Sequence, residues 1–172
     1  MKKKSLKIIS VGGSIIIPKS GFNIPFLKKF RKLILDEVKN GTKFVLIIGG
    51  GATCRQYQDA LKKTVKLKDV DLDWMGIHTT MVNAQFVKFL FKDHAYKDII
   101  TDPTKKVKTN KPIIIAAGYQ PGWSTDTDAV LMAKAYGATD VINLSNIDYV
   151  YDKDPAKFKS AKKIEQTDWK TF

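Results

Sequence analysis

The sequence predicts an α/β protein: a three-layer sandwich around a mainly parallel sheet. Three observations carry this. Short apolar runs alternate with longer stretches of helical periodicity. The central runs, Phe44 to Ile48 and Ile113 to Ala117, are apolar throughout, the mark of strands buried on both faces. Glycine- and hydroxyl-rich segments directly follow four of the runs, where a parallel sheet would bring them to one edge.

The elements follow in order. Leu6 to Val11 reads as a strand ending in Gly12-Gly13-Ser14. Phe26, Leu27, Phe30, Leu33, Ile34 and Val38 recur at three- and four-residue steps, so Asn23 to Asn40 reads as an amphipathic helix with Gly41 as its C-cap. Phe44 to Ile48 is a strand closed by Gly49-Gly50-Gly51, and a helix follows through Arg55, Tyr57 and Leu61. Asp73 to about Tyr96 reads as one long helix. Trp74, Ile77, Met81 and Ala84 line one side, and Met75, Val82, Phe86 and Phe89 another, which suits burial between layers or in a subunit interface. Thr101 to Lys111 is a polar loop, Ile113 to Ala117 the third strand, Asp126 to Tyr136 a helix stopped by Gly137, and Val141 to Leu144 the fourth strand.

A chain of 172 residues is one domain's worth, and its 44% hydrophobic and 27% charged shares exclude disorder, collagen and coiled coil. The lone Cys54 excludes an internal disulfide and a paired-cysteine zinc site, and a reducing cytoplasm is the simplest setting. Lys2-Lys3-Lys4 before Leu6 to Ile17 faintly imitates a signal peptide. Gly12-Gly13 and Pro18-Lys19 interrupt the apolar run, and it lacks a small-residue cleavage site. No segment reaches the ~20 apolar residues of a membrane span. The net charge of +13 points to anionic partners, or simply to a lysine-rich surface.

Glycine lets a backbone approach an anion, and a following helix offers free N–H groups. Gly12-Gly13-Ser14 and Gly49-Gly50-Gly51 are therefore two candidate phosphate cradles, with plain tight turns as the alternative. Neither fits a standard fingerprint: the first lacks a Walker lysine, and the second lacks the third glycine of a dinucleotide motif. His78 and His94 lack ligand-like spacing. Cys54, near a helix start, is either a thiol of lowered pKa or a small packing residue.

Five segments occur in the order found in the amino-acid kinase superfamily: Val11 to Ser14, Ile48 to Gly51 with Arg55 and Tyr57, Asp73 to Ile77, Tyr119 to Asp126, and Ser145 to Pro155. Together they most resemble its archaeal-type uridylate (UMP) kinases. The resemblance implies transfer of the γ-phosphate of ATP to UMP, with Mg²⁺. It places Ser10, Val11, Gly12, Gly13, Ser14 and Gly50 on ATP phosphates, with Arg55 also reaching phosphate. It places Ser145, Asn146, Tyr151 and Asp154 on the ATP base and ribose. UMP would meet Gly49 and Asp73 and be wrapped by Tyr119, Gln120, Pro121, Gly122, Trp123, Ser124 and Thr125. Asp126 matches the acid of the family's Thr-Asp motif and, with Arg55, is the catalytic candidate; Asp128 is the competing match. No metal-ligating residue is assigned. The resemblance further implies a hexamer built from dimers, while the lack of a long apolar run and of a base-stacking motif argues against membrane and nucleic-acid partners.

Two positions depart from the resembled pattern. Ser10 stands where many relatives have lysine, and Lys7 lies on the other strand face. Tyr149 stands where glycine is usual, beside the expected ATP site. Three rivals remain. One is another phosphotransferase, such as isopentenyl phosphate kinase, although Ile48 replaces that group's histidine. The second is a nucleotide- or anion-binding regulatory or storage protein, and the third a basic RNA-binding domain. Residues 1–172 read as a single domain, incomplete at its C-terminus, since Thr167 and Asp168 resemble a helix start with only Trp169 to Phe172 after it.

Overall fold

The computed structural model describes residues 5–147, 149–153, 155 and 157–168. Asp154 and the expected final turn at Trp169–Phe172 lie outside the described residues. In chain order the elements are β1 (Leu6–Val11), α1 (Gly13–Ile16), α2 (Ile24–Lys39), β2 (Lys43–Ile48), α3 (Gly51–Thr64), α4 (Asp69–Phe91), a 3₁₀ turn (Lys92–His94), β3 (Ala95–Ile100), β4 (Ile113–Ala116), α5 (Thr125–Tyr136) and β5 (Val141–Leu144). The five strands form one parallel sheet in the order β3-β4-β2-β1-β5.

The sheet buries both faces, as its apolar runs require. On one face Ile9, Val11, Leu46, Ile48, Ile113 and Ile115 pack against Leu27, Phe30 and Ile34 of α2 and Ala84, Val87 and Phe91 of α4. On the other, Ile8, Val45, Ile47, Ile114 and Ala116 pack against Ala129, Met132, Ala133 and Tyr136 of α5. Each large side chain so buried contributes about 1.5–3 kcal/mol. The expected three-layer sandwich is therefore present. The chain leaves β1 and β2 toward one face and β4 toward the other, which opens a crevice at the carboxyl ends of the strands.

Two boundaries differ from the sequence expectation. The long helix ends at Phe91 rather than near Tyr96, and residues 95–100 form a fifth strand at the sheet edge. The stop comes at Lys92, which takes a positive φ of 47° without being glycine. Helical periodicity had hidden the strand, because Lys97 and Asp98 make it polar in the middle. The helix also begins four residues earlier, at Asp69, where the Asp71 carboxylate accepts from Lys68 N–H at 3.1 Å. Nor is α4 buried on two sides: it buries Thr79, Thr80, Asn83, Ala84 and Val87, while Val82 and Phe89 are exposed.

At the other edge, β5 pairs only with β1 among the described residues, and Val141 and Ile142 are partly exposed on it. A groove of about 840 Å³ runs between this strand and α5, lined by Val130, Ala133, Val141 and Asn143.

Candidate active site at the carboxyl edge of the sheet

The two glycine loops meet here, but not as two separate cradles. A side chain on Gly13 would lie 2.0 Å from Gly51 N and 2.6 Å from the Gly49 carbonyl. One on Gly51, whose φ is +67°, would lie 2.6 Å from Gly13 O. The loops pack backbone on backbone, and their glycines serve that contact first. Gly49 N–H donates to Val11 O at 3.0 Å, Gly12 N–H to Leu144 O at 2.8 Å, and Ala52 N–H to Ile17 O at 2.9 Å. The last of these removes one first-turn donor of α3 from any phosphate.

Two buried side chains that the sequence had not singled out organise the loops. Asn83 of α4 donates to both Gly49 O and Gly50 O, at 2.9 Å each. Thr80, one turn earlier, accepts from Gly118 N–H at 2.8 Å and donates to Ile77 O. Both were legible only as polar residues within an apolar helix.

Ser10 is almost fully buried, and its hydroxyl donates to Asp126 Oδ1 at 2.5 Å. Asp128 does not compete for this place. It is 1% exposed and accepts from Tyr119 N–H at 3.2 Å through Oδ2, while Oδ1 has no partner. Burial pushes its carboxyl up to about 6, against the opposing Tyr119 N–H. Ser124 caps α5 by accepting from Thr127 N–H at 3.1 Å.

On one side of Asp126 lies a cavity of about 160 Å³, lined by Gly50, Cys54, Asp73, Gly118, Gln120, Trp123 and Thr125. Asp73 Oδ2 accepts from Gly122 N–H at 2.8 Å, which ties the loop Tyr119 to Thr125 down onto α4. Tyr119 and Trp123 meet edge to face within that loop, at 6.2 Å. Cys54 is half-buried here, and burial pushes its thiol up, which makes it a packing residue rather than a reactive one. On the other side lies a cavity of about 570 Å³, lined by Gly12, Thr125, Asp126, Asn143, Ser145, Ile147, Tyr149 and Val150. Thr125 lines both.

The remaining sequence-assigned residues fall around these cavities. Arg55 is exposed on α3 and donates to Ser14 Oγ at 3.2 Å. Val11 is fully buried, so only its backbone faces the loops. Asn146 is exposed beyond β5, and Tyr151 stands behind Tyr149, ring edge to ring at 6.5 Å. Pro121 belongs to the tied-down loop. Among the described residues no three His, Cys, Asp or Glu side chains come together. These residues alone therefore form no all-protein metal cage.

A parallel α/β fold with two cavities at the carboxyl ends of its strands has them where open α/β sheets bind their ligands. Residues 5–172 match the model of the amino acid kinase family, and the chain belongs to that family. The chain is 31% identical over 161 residues to the uridylate kinase of Pyrococcus abyssi, covering 92% of this chain and 70% of the relative. It is 30% identical over 159 residues to the uridylate kinase of Methanocorpusculum labreanum, covering 91% and 66%. The crystal structure of uridylate kinase from Archaeoglobus fulgidus superposes with a TM-score of 0.73 at 26% identity, over 93% of this chain and 72% of that one. Aspartate kinase from Synechocystis shares the fold alone, with a TM-score of 0.68 at 13% identity. The chain therefore spans about two thirds or slightly more of the length of these uridylate kinases.

Proposed function

We propose that this chain transfers the γ-phosphate of ATP to UMP, giving UDP and ADP. The observation that carries the reading is Thr125, which lines both cavities at the first turn of α5, next to Asp126. Phosphoryl transfer needs two ligands brought into line more than it needs a covalent catalyst. ATP takes the larger cavity and UMP the smaller. A UMP phosphate oxygen attacks the γ-phosphorus, the bond to the β–γ bridging oxygen breaks, and ADP keeps that electron pair. Mg²⁺ on the nucleotide, when bound, neutralises phosphate charge. Arg55 faces the same task from α3, with a guanidinium able to pair two phosphate oxygens. Asp126, held by Ser10, orients donors at the transfer point.

The acceptor cavity is below the ~300–1,000 Å³ usual for ligand sites. A whole nucleotide enters it when the loop Tyr119 to Thr125 moves outward, and the Asp73–Gly122 bond is the tether that yields. Relatives named uridylate kinase support UMP as acceptor. The single domain, self-association and a cytoplasmic setting belong to the same reading. No helix among the described residues is long and apolar enough to cross a membrane.

A second reading has a specific observation behind it. Ser10 brings no positive charge to Asp126, and a site without that charge suits nucleotide binding without turnover. One assay separates the two: ADP release from ATP–Mg²⁺ with UMP, CMP, AMP, GMP and isopentenyl phosphate as acceptors. The proposal expects UMP to be fastest. Nucleotide binding with no ADP release from any acceptor leaves the binding reading instead.

A further inference from the structure

Residues 149–152 and 162–164 form a small antiparallel flap beside the larger cavity. Ile164 N–H donates to Val150 O at 2.8 Å, Asp152 N–H donates to Lys162 O at 3.0 Å, and Tyr151 pairs with Lys163. Lys162 N–H also donates to the Asp152 carboxylate at 2.7 Å, a further tie between the strands. Strand alternation puts Tyr149 and Tyr151 on one side, and cross-strand diagonals bring Lys163 to the same side. The Lys163 ammonium stands 3.7 Å from the centre of the Tyr149 ring. The Glu165 carboxylate, 3.4 Å away, holds that ammonium from behind.

Tyr149 is thus fixed by a cation and by the edge of Tyr151, yet 49% of it remains exposed and it lines the cavity. Exposed ring surface on a cavity wall is apolar area that a planar ligand group can remove from water by stacking. Ile147 and Val150 also line this cavity, together with Gly12, Asp126, Asn143 and Ser145. The lining is therefore part aromatic and apolar, part polar, as a nucleoside triphosphate is itself part base and part charged phosphate.

We propose that Tyr149 is the base platform of the donor site, stacking the purine of ATP on its cavity face while Lys163 and Tyr151 hold the ring in place. The proposal rests on the larger cavity being the donor site and goes beyond it by naming the residue that reads the base. Stacking responds to ring area and not to the phenol oxygen, so Tyr149→Phe keeps the function and Tyr149→Ala loses it. The triphosphate end lies elsewhere in the cavity and is indifferent to either change.

The test is calorimetric titration of the 172-residue chain and its Tyr149→Ala, Tyr149→Phe and Lys163→Ala variants. Each is titrated with a non-hydrolysable ATP analogue and with inorganic tripolyphosphate. Tyr149→Ala should weaken the nucleotide about tenfold, the effect of removing one stacking partner. Tyr149→Phe should stay within about twofold of the parent, and Lys163→Ala should fall between the two. Tripolyphosphate should bind all four proteins alike. Nucleotide affinity unchanged or improved in Tyr149→Ala would show that the ring merely narrows the cavity, and would overturn the proposal while leaving the donor site standing. A parent that binds tripolyphosphate no more weakly than the nucleotide also overturns it. A parent that binds neither ligand removes the donor-site reading itself, and the platform with it.

Discussion

Ser10 on β1 gives its hydroxyl to Asp126 on the first turn of α5, across 2.5 Å and 116 positions of sequence. This contact joins the middle of the sheet to the helix that follows the acceptor loop. It also commits one carboxylate oxygen at the point where the two cavities meet. Asp126→Ala should lower kcat on UMP by about 10²-fold, the scale of losing one preorganised group at a charged transition state. Both KM values should move by much less. Steady-state kinetics with each substrate varied in turn checks this, and a loss confined to one KM would place Asp126 in binding instead.

Arg55 is exposed, and its guanidinium donates to Ser14 Oγ. Its removal should change stability by less than about 1 kcal/mol, as for other exposed polar pairs. Turnover should fall by about 10²-fold. Chemical denaturation beside kcat/KM measures both quantities on one preparation. Normal turnover in Arg55→Ala would reduce the arginine to a surface contact.

Asp73 separates two roles that a single alanine would merge. Asp73→Ala removes both the charge and the acceptor for Gly122 N–H, and should raise the UMP KM about tenfold with little change for ATP. Asp73→Asn keeps an acceptor for the same N–H. If the amide restores the UMP KM, an uncharged acceptor at this position suffices; if it does not, the negative charge meets the ligand directly. Equal effects on both substrates would remove Asp73 from the acceptor site.

Asp128 sets a pH dependence with a definite sign. Its folded pKa of about 6 lies above the ordinary carboxylate value, because burial penalises the charged form. The folded state therefore holds this proton more tightly than the unfolded state. The resulting stabilisation is complete below about pH 4 and is lost as pH rises to about 6. Asp128→Asn should raise the thermal midpoint by a few degrees at pH 7.5 and leave it unchanged near pH 3.5. A variant less stable at both pH values would show that the carboxylate bond to Tyr119 N–H outweighs the burial cost.

Val82, Phe86 and Phe89 share one face of α4 at steps of four and three, and Phe86 meets the Phe22 ring at 4.8 Å. Val82 and Phe89 are about two-thirds exposed. Self-association of the chain should run through this face. The double variant Val82→Asp with Phe89→Asp should sediment as a smaller species than the parent while keeping its thermal midpoint. An unchanged sedimentation coefficient would assign association, if any, to another surface.

Much of this was readable before any coordinates. Strands apolar on both faces and helices with a 3.6-residue period leave little choice of layers, and parallel strands place their following loops together. What escaped reading had physical causes. β3 is an edge strand with Lys97 and Asp98 at its centre, so the apolar signal that marks inner strands is missing. The start of α4 uses a carboxylate at Asp71 and no hydroxyl cap. Asn83 and Thr80 act on backbone groups more than thirty residues away, a relationship that no spacing rule contains. The glycine triplet stands out in the sequence. Its glycines, however, answer first to the other loop, and that demand is invisible in either segment alone.

That mutual contact has a mechanical consequence. With Gly13 seated against Gly49 and Gly51, the two glycine loops behave as a single anvil and cannot travel separately. In the proposed transfer, closure over the ligands would therefore fall to the strip Tyr119 to Thr125 on one side and the Tyr149 flap on the other. Insertion of one methyl group at Gly13 would split the anvil, and no adjustment of either jaw would bring its halves back into line.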